Sequence, residues 1–523
     1  MTNVFLGRSL CVINDLSLEE RRWLFDETRR LAEAFKNNNQ EDLQRYVFTQ
    51  TDTKVYDVFL ESSTRTQQSF RNAAIFCQLN PLSLGADSAF YGKGESLLDT
   101  FKTLVAYGNH LFIVRSPQEG LCRFLSEELS ASLERLGING SISLINAGDG
   151  KHEHPTQELL DEYSFWEQNH FSYENLHIAL VGDLFHGRTV HSKAQGLKIF
   201  QKVRVDLVAP ELLALPDEYV RQMQENGYSL RFFSSLQDYI KAGDLASAWY
   251  FTRPQLERMG EDIRLAASSL RESITLTESL LDEIPSTCRF YHPLPRHKEH
   301  PVIPRFVDRT PYNAWERQVR NGYYVRIVLL SALGGKLPTP GLPEYSVPAQ
   351  NEENFIDEVF LSKRRKQKPL VSGVLPIEDG FVIDHISQGK THEEIRRHMN
   401  RLIEALDLHG LGGEWIAQGT RGLKGLIFRP QTRLFEGLIK KLAALAPGVT
   451  LNDIRQGTIY KKYRLSLPPR IYGFKEARCP NPDCISHPSA FETLEGHFHR
   501  CGQERYACHY CDRQHHYREI WPQ

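Results

Sequence analysis

The sequence predicts an α/β protein: two domains built on parallel, helix-covered sheets, then a small α+β unit and a cysteine-rich tail. Three observations carry that expectation. Short apolar runs alternate with longer amphipathic ones from residue 54 to 295, prolines and acids crowd together after residue 336, and five of the nine cysteines lie within 479–511.

Taken in order, "KVYDVFLE", "HLFIVR", "SISLINAG", "NLHIALVGD", "KVRVDLVAP", "SAWYFT" and "RFYHPLP" are the strand candidates. Most are separated by enough residues for a helix, and that alternation gives a parallel sheet covered on both faces. The pattern comes in two blocks, one before about residue 150 and one from about 175, joined by the helical stretch "HPTQELLDEYSFWEQ". Two adjacent domains are expected, 1–155 and 156–304, with the cleft between them the natural ligand site. "TPYNAWERQVRNGYYVRIVLLSALGGKL" reads as a helix stopped by Gly334 and Gly335, and 305–336 is assigned to the completion of the first domain. "PTPGLPEYSVPAQNEEN" then opens a linker over 337–370. Its basic run "LSKRRKQK" is too short for a nucleic-acid patch and reads as a solvated joint. Residues 371–465 form the α+β unit and 470–523 the tail; no internal repeat is found.

Bulk properties exclude several classes. Lys and Arg number 63 against 65 Asp and Glu, a balance that argues against an obligate binder of nucleic acid or membrane surfaces. No apolar run would cross a bilayer, and "MTNVFLGRSLCVINDLS" lacks the basic start and long apolar core of a secretion signal, so a cytoplasmic protein is expected. Cys11, Cys77, Cys122 and Cys288 are scattered in apolar or mixed stretches and suit buried thiols in a reducing compartment.

"VFLESSTRTQQSFRNAAIFCQL" runs from strand into helix, with Phe70, Ala73, Ala74 and Cys77 on one apolar face. Ser63, Thr64, Arg65 and Thr66 therefore fall at the helix N-terminus. Free N–H groups, hydroxyls and a guanidinium converge there, which is how a phosphate is held without a glycine-rich loop. Ordinary Ser/Thr capping would explain the hydroxyls alone; Arg65 and the segments downstream favour the phosphate. Those segments are "VRSPQEG" (Arg115, Gln118), "NAGDGKHEHPTQ" (His154, Gln157), "GDLFHGRTVHS" (Arg188), "FTRPQLER" (Arg253, Gln255) and "YHPLPR" (Pro293, Leu294), each after a predicted strand. Open α/β sheets place their ligands at that end of their strands.

Singly each segment is weak, but their order along 1–336 resembles the catalytic chain of aspartate carbamoyltransferases. The resemblance implies two Rossmann-like domains of the carbamoyltransferase fold, and transfer of a carbamoyl group from carbamoyl phosphate to L-aspartate in pyrimidine synthesis. It places Ser63, Thr64, Arg65, Thr66 and Arg115 on the phosphate, and Arg65, Thr66 and His154 on the carbonyl oxygen. Gln157 and the backbone carbonyls of Pro293 and Leu294 would hold the carbamoyl NH2, while Arg188, Arg253 and Gln255 would take the two carboxylates of aspartate. Phosphate is already a good leaving group, so no nucleophilic side chain and no catalytic cofactor is expected, and positioning and electrostatics carry the reaction. A cis peptide is implied at Leu294–Pro295, and Glu61 and Arg258 match positions that brace the arginines. Ornithine carbamoyltransferases are the nearest competitor, but they typically carry His-Cys-Leu-Pro where this chain has His292-Pro293-Leu294-Pro295.

Two departures stand out. Gln67 replaces the arginine that usually ends the Ser-Thr-Arg-Thr-Arg run. In "DSAFYGKGES" Lys93 aligns with a lysine that the family lends to a neighbouring subunit's active site, whereas the accompanying serine falls on Ala89, with Ser88 one residue off. Shared sites imply a homo-oligomer, a trimer or a dimer of trimers.

"GFVIDHI", "LSLPPRI", "CPNPDCISH" and "CHYC" resemble, in that order, the regulatory chain of the same enzyme, here fused through the linker. The resemblance implies a ferredoxin-like domain binding ATP or CTP, with Asp384, His385 and Lys462 at the nucleotide, then a small zinc-binding β domain. Phe428 stands where a further lysine is expected, which predicts nucleotide control that is weakened, altered or lost. In the tail, Cys479-x4-Cys484 and Cys508-x2-Cys511 supply four thiolates, the closed set of a structural zinc. Cys501 and six histidines are possible substitutes; the family spacing selects the four named, one zinc per chain. A zinc-ribbon protein that binds nucleic acid is the rival of another class, and it would need a basic tail face and no organised cleft.

Overall fold

The computed structural model describes residues 3–49, 54–85, 95–137, 140–254, 261–344, 354–360 and 377–521. The chain divides into two compact units. One comprises residues 1–346 with the short segments 483–485 and 489–492, and the other the remainder of 347–523.

The first unit contains two wholly parallel sheets. Strands β1 (Lys54–Phe59), β2 (Asn80–Gly85), β3 (Leu111–Ser116) and β4 (Ser143–Asp149) pair in the order β2-β1-β3-β4. Strands β5 (His177–Val181), β6 (Arg204–Val208), β7 (Ser229–Phe233), β8 (Ala248–Phe251) and β9 (Arg289–Tyr291) pair as β7-β6-β5-β8-β9, the doubly wound order. Strands β3, β4 and β8 are buried along their whole length, as near-continuous apolar runs must be when helices cover both faces.

Two strands were not expected from the sequence. β2 carries a proline and ends on a glycine, and β7 is half exposed; both are edge strands, where one-sided pairing removes the need for an apolar run.

Helix Leu18–Asn37 opens with a capping box in which Ser17 and Glu20 satisfy each other's backbone N–H. Helix Trp315–Leu333 packs against Leu18–Asn37, Thr64–Phe76 and Pro155–Gln168. Phe70, Ala73, Ala74 and Cys77 form the buried face of Thr64–Phe76, and the Cys77 thiol lies 3.5 Å from Ser331 Oγ.

In the second unit, β10 (Ile356–Glu358), β11 (Gly380–Ile386), β12 (Gly413–Gly419), β13 (Gly422–Pro430), β14 (Thr450–Arg455) and β15 (Thr458–Leu465) form an antiparallel sheet in the order β10-β15-β14-β11-β13-β12. Helices His392–Ala405 and Glu436–Leu445 fall between strands, so the central β14-β11-β13-β12 set is the ferredoxin-like arrangement. Within the stretch read as a linker, 337–370, Ile356–Glu358 forms a short strand that pairs with β15. A four-stranded antiparallel sheet follows: β16 (Arg470–Ile471), β17 (Phe498–Arg500), β18 (Arg505–Cys508) and β19 (Gln514–His516). No helix among the described residues is long and apolar enough to cross a membrane.

Candidate active site

One cavity of about 920 Å³ in the first unit is lined by Ser63, Thr64, Arg65, Thr66, Arg115, His154, Gln157, Arg188, Arg253, Pro293 and Leu294. Its position follows from topology. In the first sheet the strand order turns at β1 and β3, and in the second at β5 and β8; Arg115 lies at the end of β3, and the segments after the other three carry Ser63–Thr66, Arg188 and Arg253. Splayed connections at such switch points open a crevice beyond the strand ends.

Ser63 is the N-cap of helix Thr64–Phe76, yet its side chain makes no cap hydrogen bond. The leading N–H groups of the helix are thus left for a ligand in the cavity. Arg115 is buried at the end of β3. Its Nη1 donates to Ala147 O at 2.9 Å and its Nη2 pairs with Glu61 at 2.7 Å. Burial, and then the charge of Arg188, push the Arg115 guanidinium down to about 10. Gly148 makes room for it: at φ +112° this residue passes so close that an added Cβ would lie 2.5 Å from Arg115 Nη1 and 3.3 Å from a ring carbon of His154.

His154 caps helix Pro155–Gln168, with Nε2 3.5 Å from Thr66 Oγ1 and Nδ1 3.3 Å from Thr156 Oγ1. Burial first, and then Arg188, Arg115 and Arg326, hold its imidazole well below the ordinary range, so the ring is neutral and offers an N–H rather than a charge. Gln157 donates to Asp161 at 2.9 Å, and the same carboxylate accepts from Gln318 at 2.7 Å and from the buried Lys193 at 2.9 Å. Gln318 in turn accepts the backbone N–H of His292 at 3.0 Å. The peptide Leu294–Pro295 is cis, and Leu294 N donates to His292 Nδ1 at 2.8 Å. Arg188 Nη1 donates to Gly150 O at 2.6 Å.

The structure therefore brings together every described residue assigned to carbamoyl phosphate and aspartate. Lys93 and Gln255 lie outside the described residues, as do Ser88, Ala89, Arg258 and the basic run 361–368. Sequence reasoning missed Gly148, Asp161, Lys193, Gln318 and Arg326. The last lies in the cavity wall, donates to Ser69 Oγ at 2.9 Å and is pushed down to about 10 by burial. Its signal was a charge inside the apolar run "YVRIVLL".

In the second unit, Lys424 Nζ meets Asp384 at 2.7 Å, and His385 Nδ1 lies 3.4 Å from the same carboxylate. Burial lowers the His385 imidazole, with Lys424 and Lys462 adding to the effect against Asp384. Phe428 shares a face of β13 with Lys424 but is four residues further along, where it packs on the apolar cluster of Ile377, Val382, Leu426 and Ile454. The thiols of Cys479, Cys484, Cys508 and Cys511 are buried and lie within 4.8 Å of one another. Cys479 Sγ and Cys511 Sγ are 3.7 Å apart, against about 3.8 Å for the edge of a tetrahedron with zinc–sulfur bonds of ~2.3 Å. His515 Nε2 lies 3.5 Å from Cys479 Sγ, in place to donate to a thiolate.

Comparison with known proteins covers both units. The carbamoyl-phosphate-binding domain of aspartate/ornithine carbamoyltransferases matches residues 8–167, and their Asp/Orn-binding domain matches 174–333. The allosteric and metal-binding domains of the aspartate carbamoyltransferase regulatory chain match 372–466 and 469–521. Protein PyrBI of Treponema denticola is 50% identical over 530 residues, covering 100% of this chain and 99% of its own. An aspartate carbamoyltransferase catalytic subunit of Vibrio cholerae is 38% identical over 53% of this chain and 84% of its own. Among solved structures, the aspartate transcarbamoylase of Trypanosoma cruzi in complex with carbamoyl phosphate and aspartate is similar at a TM-score of 0.53 and 27% identity. That match covers 64% of this chain and 99% of the other.

Proposed function

The chain belongs to the aspartate carbamoyltransferase family, in the form that carries catalytic and regulatory regions in one polypeptide, and from that premise we propose how its cavity performs the reaction. The enzyme transfers the carbamoyl group of carbamoyl phosphate to L-aspartate, giving N-carbamoyl-L-aspartate and phosphate. The observation that carries the assignment of the site is the convergence, in one cavity, of an uncapped helix N-terminus, a neutral imidazole and separate arginines from both sheets.

Phosphate oxygens bind the leading N–H groups and hydroxyls of Ser63–Thr66, with Arg65 and Arg115 as counter-charges. The aspartate amino nitrogen attacks the carbamoyl carbon. Thr66, Arg65 and the N–H of His154 stabilise the oxygen on which negative charge grows. The bond from carbon to the bridging oxygen then breaks, and the departing phosphate takes the amine proton. Gln157, held by Asp161, and the carbonyls of Pro293 and Leu294 fix the carbamoyl NH2. Arg188 and Arg253, with Gln255 beside the latter, bind the two aspartate carboxylates, and aspartate rather than ornithine fits these two cations. Lys93 comes from a neighbouring subunit of a trimer or a dimer of trimers.

In the second half, Asp384, His385, Lys424 and Lys462 are the polar groups that would bind a nucleotide. Cys479, Cys484, Cys508 and Cys511 would hold one structural zinc through four thiolates, and that cross-link would tie the tail together. The test is an assay with carbamoyl phosphate and L-aspartate, L-ornithine as control, repeated with ATP and CTP. Arg65→Ala should lose activity by about 10²–10³-fold with an unchanged circular dichroism spectrum; near-normal turnover would refute the phosphate assignment.

A further inference from the structure

Of the four cysteines, Cys508 lies on the terminal sheet and marks its inner face. On the other face lie three histidines that the reaction, the nucleotide pocket and the zinc leave unused. Strand β17 begins at Phe498, which pairs with Cys508 across the ladder to β18. Side chains alternate along a strand, so Phe498 and Cys508 point inward, where both are fully buried. His497 and His499, one residue to either side of Phe498, and His509, the residue after Cys508, point the opposite way. His509 N donates to His497 O at 2.8 Å, which clamps the two chains at this point.

The three rings meet. His499 Nε2 and His509 Nδ1 are 2.9 Å apart, and ring centroids are separated by 4.6 Å for His497–His499, 4.4 Å for His497–His509 and 5.1 Å for His499–His509. One nitrogen from each ring falls within 4.8 Å of the others, and all three residues are half-buried. Imidazole nitrogens bound tetrahedrally at ~2.0–2.1 Å stand about 3.3 Å apart, so small ring rotations bring this trio to ligand spacing. Paired strands set the backbone positions in advance, which lowers the ordering cost of binding.

We propose that His497, His499 and His509 form a second metal site, distinct from the four-cysteine cluster, that takes a borderline divalent transition ion such as Zn2+, Ni2+ or Co2+. Neutral imidazole selects such ions over Mg2+ and Ca2+, which prefer oxygen. Three protein ligands on a half-buried face leave a coordination position for water, in contrast to the closed thiolate set.

The experiment uses the full-length protein with its four-cysteine site loaded with zinc, and NiCl2 as the probe in isothermal titration, with metal content read by mass spectrometry. Wild type should take up one further Ni2+ per chain without releasing zinc. His499→Gln and His497→Gln should each weaken that uptake at least about tenfold and retain their zinc, whereas His516→Gln, outside the trio, should bind as wild type. If one of the two variants loses its zinc, the other decides. Absence of Ni2+ uptake by wild type, or equal uptake by the zinc-retaining variants, overturns the proposal.

Discussion

Gly148→Ala isolates the contribution of backbone shape to the proposed phosphate pocket. The new methyl would sit 2.5 Å from Arg115 Nη1, so either the guanidinium or the strand end must shift by roughly 1 Å to restore an ordinary contact. Arg115 cannot swing away freely, because its two terminal nitrogens are tied to Ala147 O at 2.9 Å and Glu61 at 2.7 Å. Losing one such charged hydrogen bond costs about 1.5–3 kcal/mol, and a misplacement near 1 Å in a reacting site costs on the order of 10²-fold. Together these place the fall in kcat/KM at about 10²–10³-fold, or about 2.7–4 kcal/mol. The left-handed backbone adds a stability loss of about 1–2 kcal/mol. Gly108→Ala separates the two effects. It has φ +80° with nothing within 4 Å of the added carbon, so it should share the stability loss and keep its activity. Steady-state assays with carbamoyl phosphate varied, alongside urea unfolding of both variants, make the comparison. Gly148→Ala activity within about threefold of wild type would refute the reasoning.

Other expectations follow from the same geometry. Leu294 N donates to His292 Nδ1, and burial, then Arg296, Arg65 and Arg253, pull this imidazole down to about 3. Below a pH of about 6.5 the unfolded chain therefore binds the proton that the fold refuses, and stability falls by about 1.4 kcal/mol per pH unit down to about 3. His154 acts with the same sign. Urea unfolding at pH 7.5 and 5 should show a loss that His292→Gln reduces by about 2 kcal/mol at the lower pH; an unchanged pH dependence in that variant counts against it. Chains carrying Lys93→Ala or His154→Ala should each be inactive alone, and mixed oligomers should recover up to about a quarter of wild-type activity; no recovery rules out shared sites. Chelation should unfold the tail, read as loss of the fluorescence from Trp521, which is buried against Phe474, before carbamoyl transfer in the first half declines. Simultaneous loss of both signals contradicts that order.

The parts of the fold legible in sequence were those under the strongest physical demand. Central strands such as β3 and β8 need unbroken apolar runs, and "HLFIVR" and "SAWYFT" supply them. The cavity was legible because its ligands follow these strands directly. Edge strands β2 and β7 were not, since one solvated side relaxes the pattern. Asp161 and Lys193 come from helices that pack behind the cavity, and Gln318 from a helix in its wall. Their polar side chains satisfy one another only after tertiary assembly, and nothing local marks them. Gly148 is legible only once Arg115 is known to pass beside it. In the second unit, the expected lysine position holds Phe428, which packs half-buried on a small apolar cluster, while Lys424 reaches Asp384 from the same strand. Strand parity allows either residue to face that way; the register decides.

Helix Trp315–Leu333 covers the apolar face of Thr64–Phe76, and Ser331 Oγ donates to Tyr46 O at 2.9 Å. During synthesis these partners do not exist at the same moment. At ~5–20 residues per second, translation reaches the later helix on the order of tens of seconds after the earlier one has emerged. Throughout that interval Phe70, Ala73, Ala74 and Cys77 lack the part of their native cover that the later helix supplies, and the second sheet domain is being completed in the meantime. Slowing translation between residues 77 and 315 lengthens the exposure of that face in direct proportion.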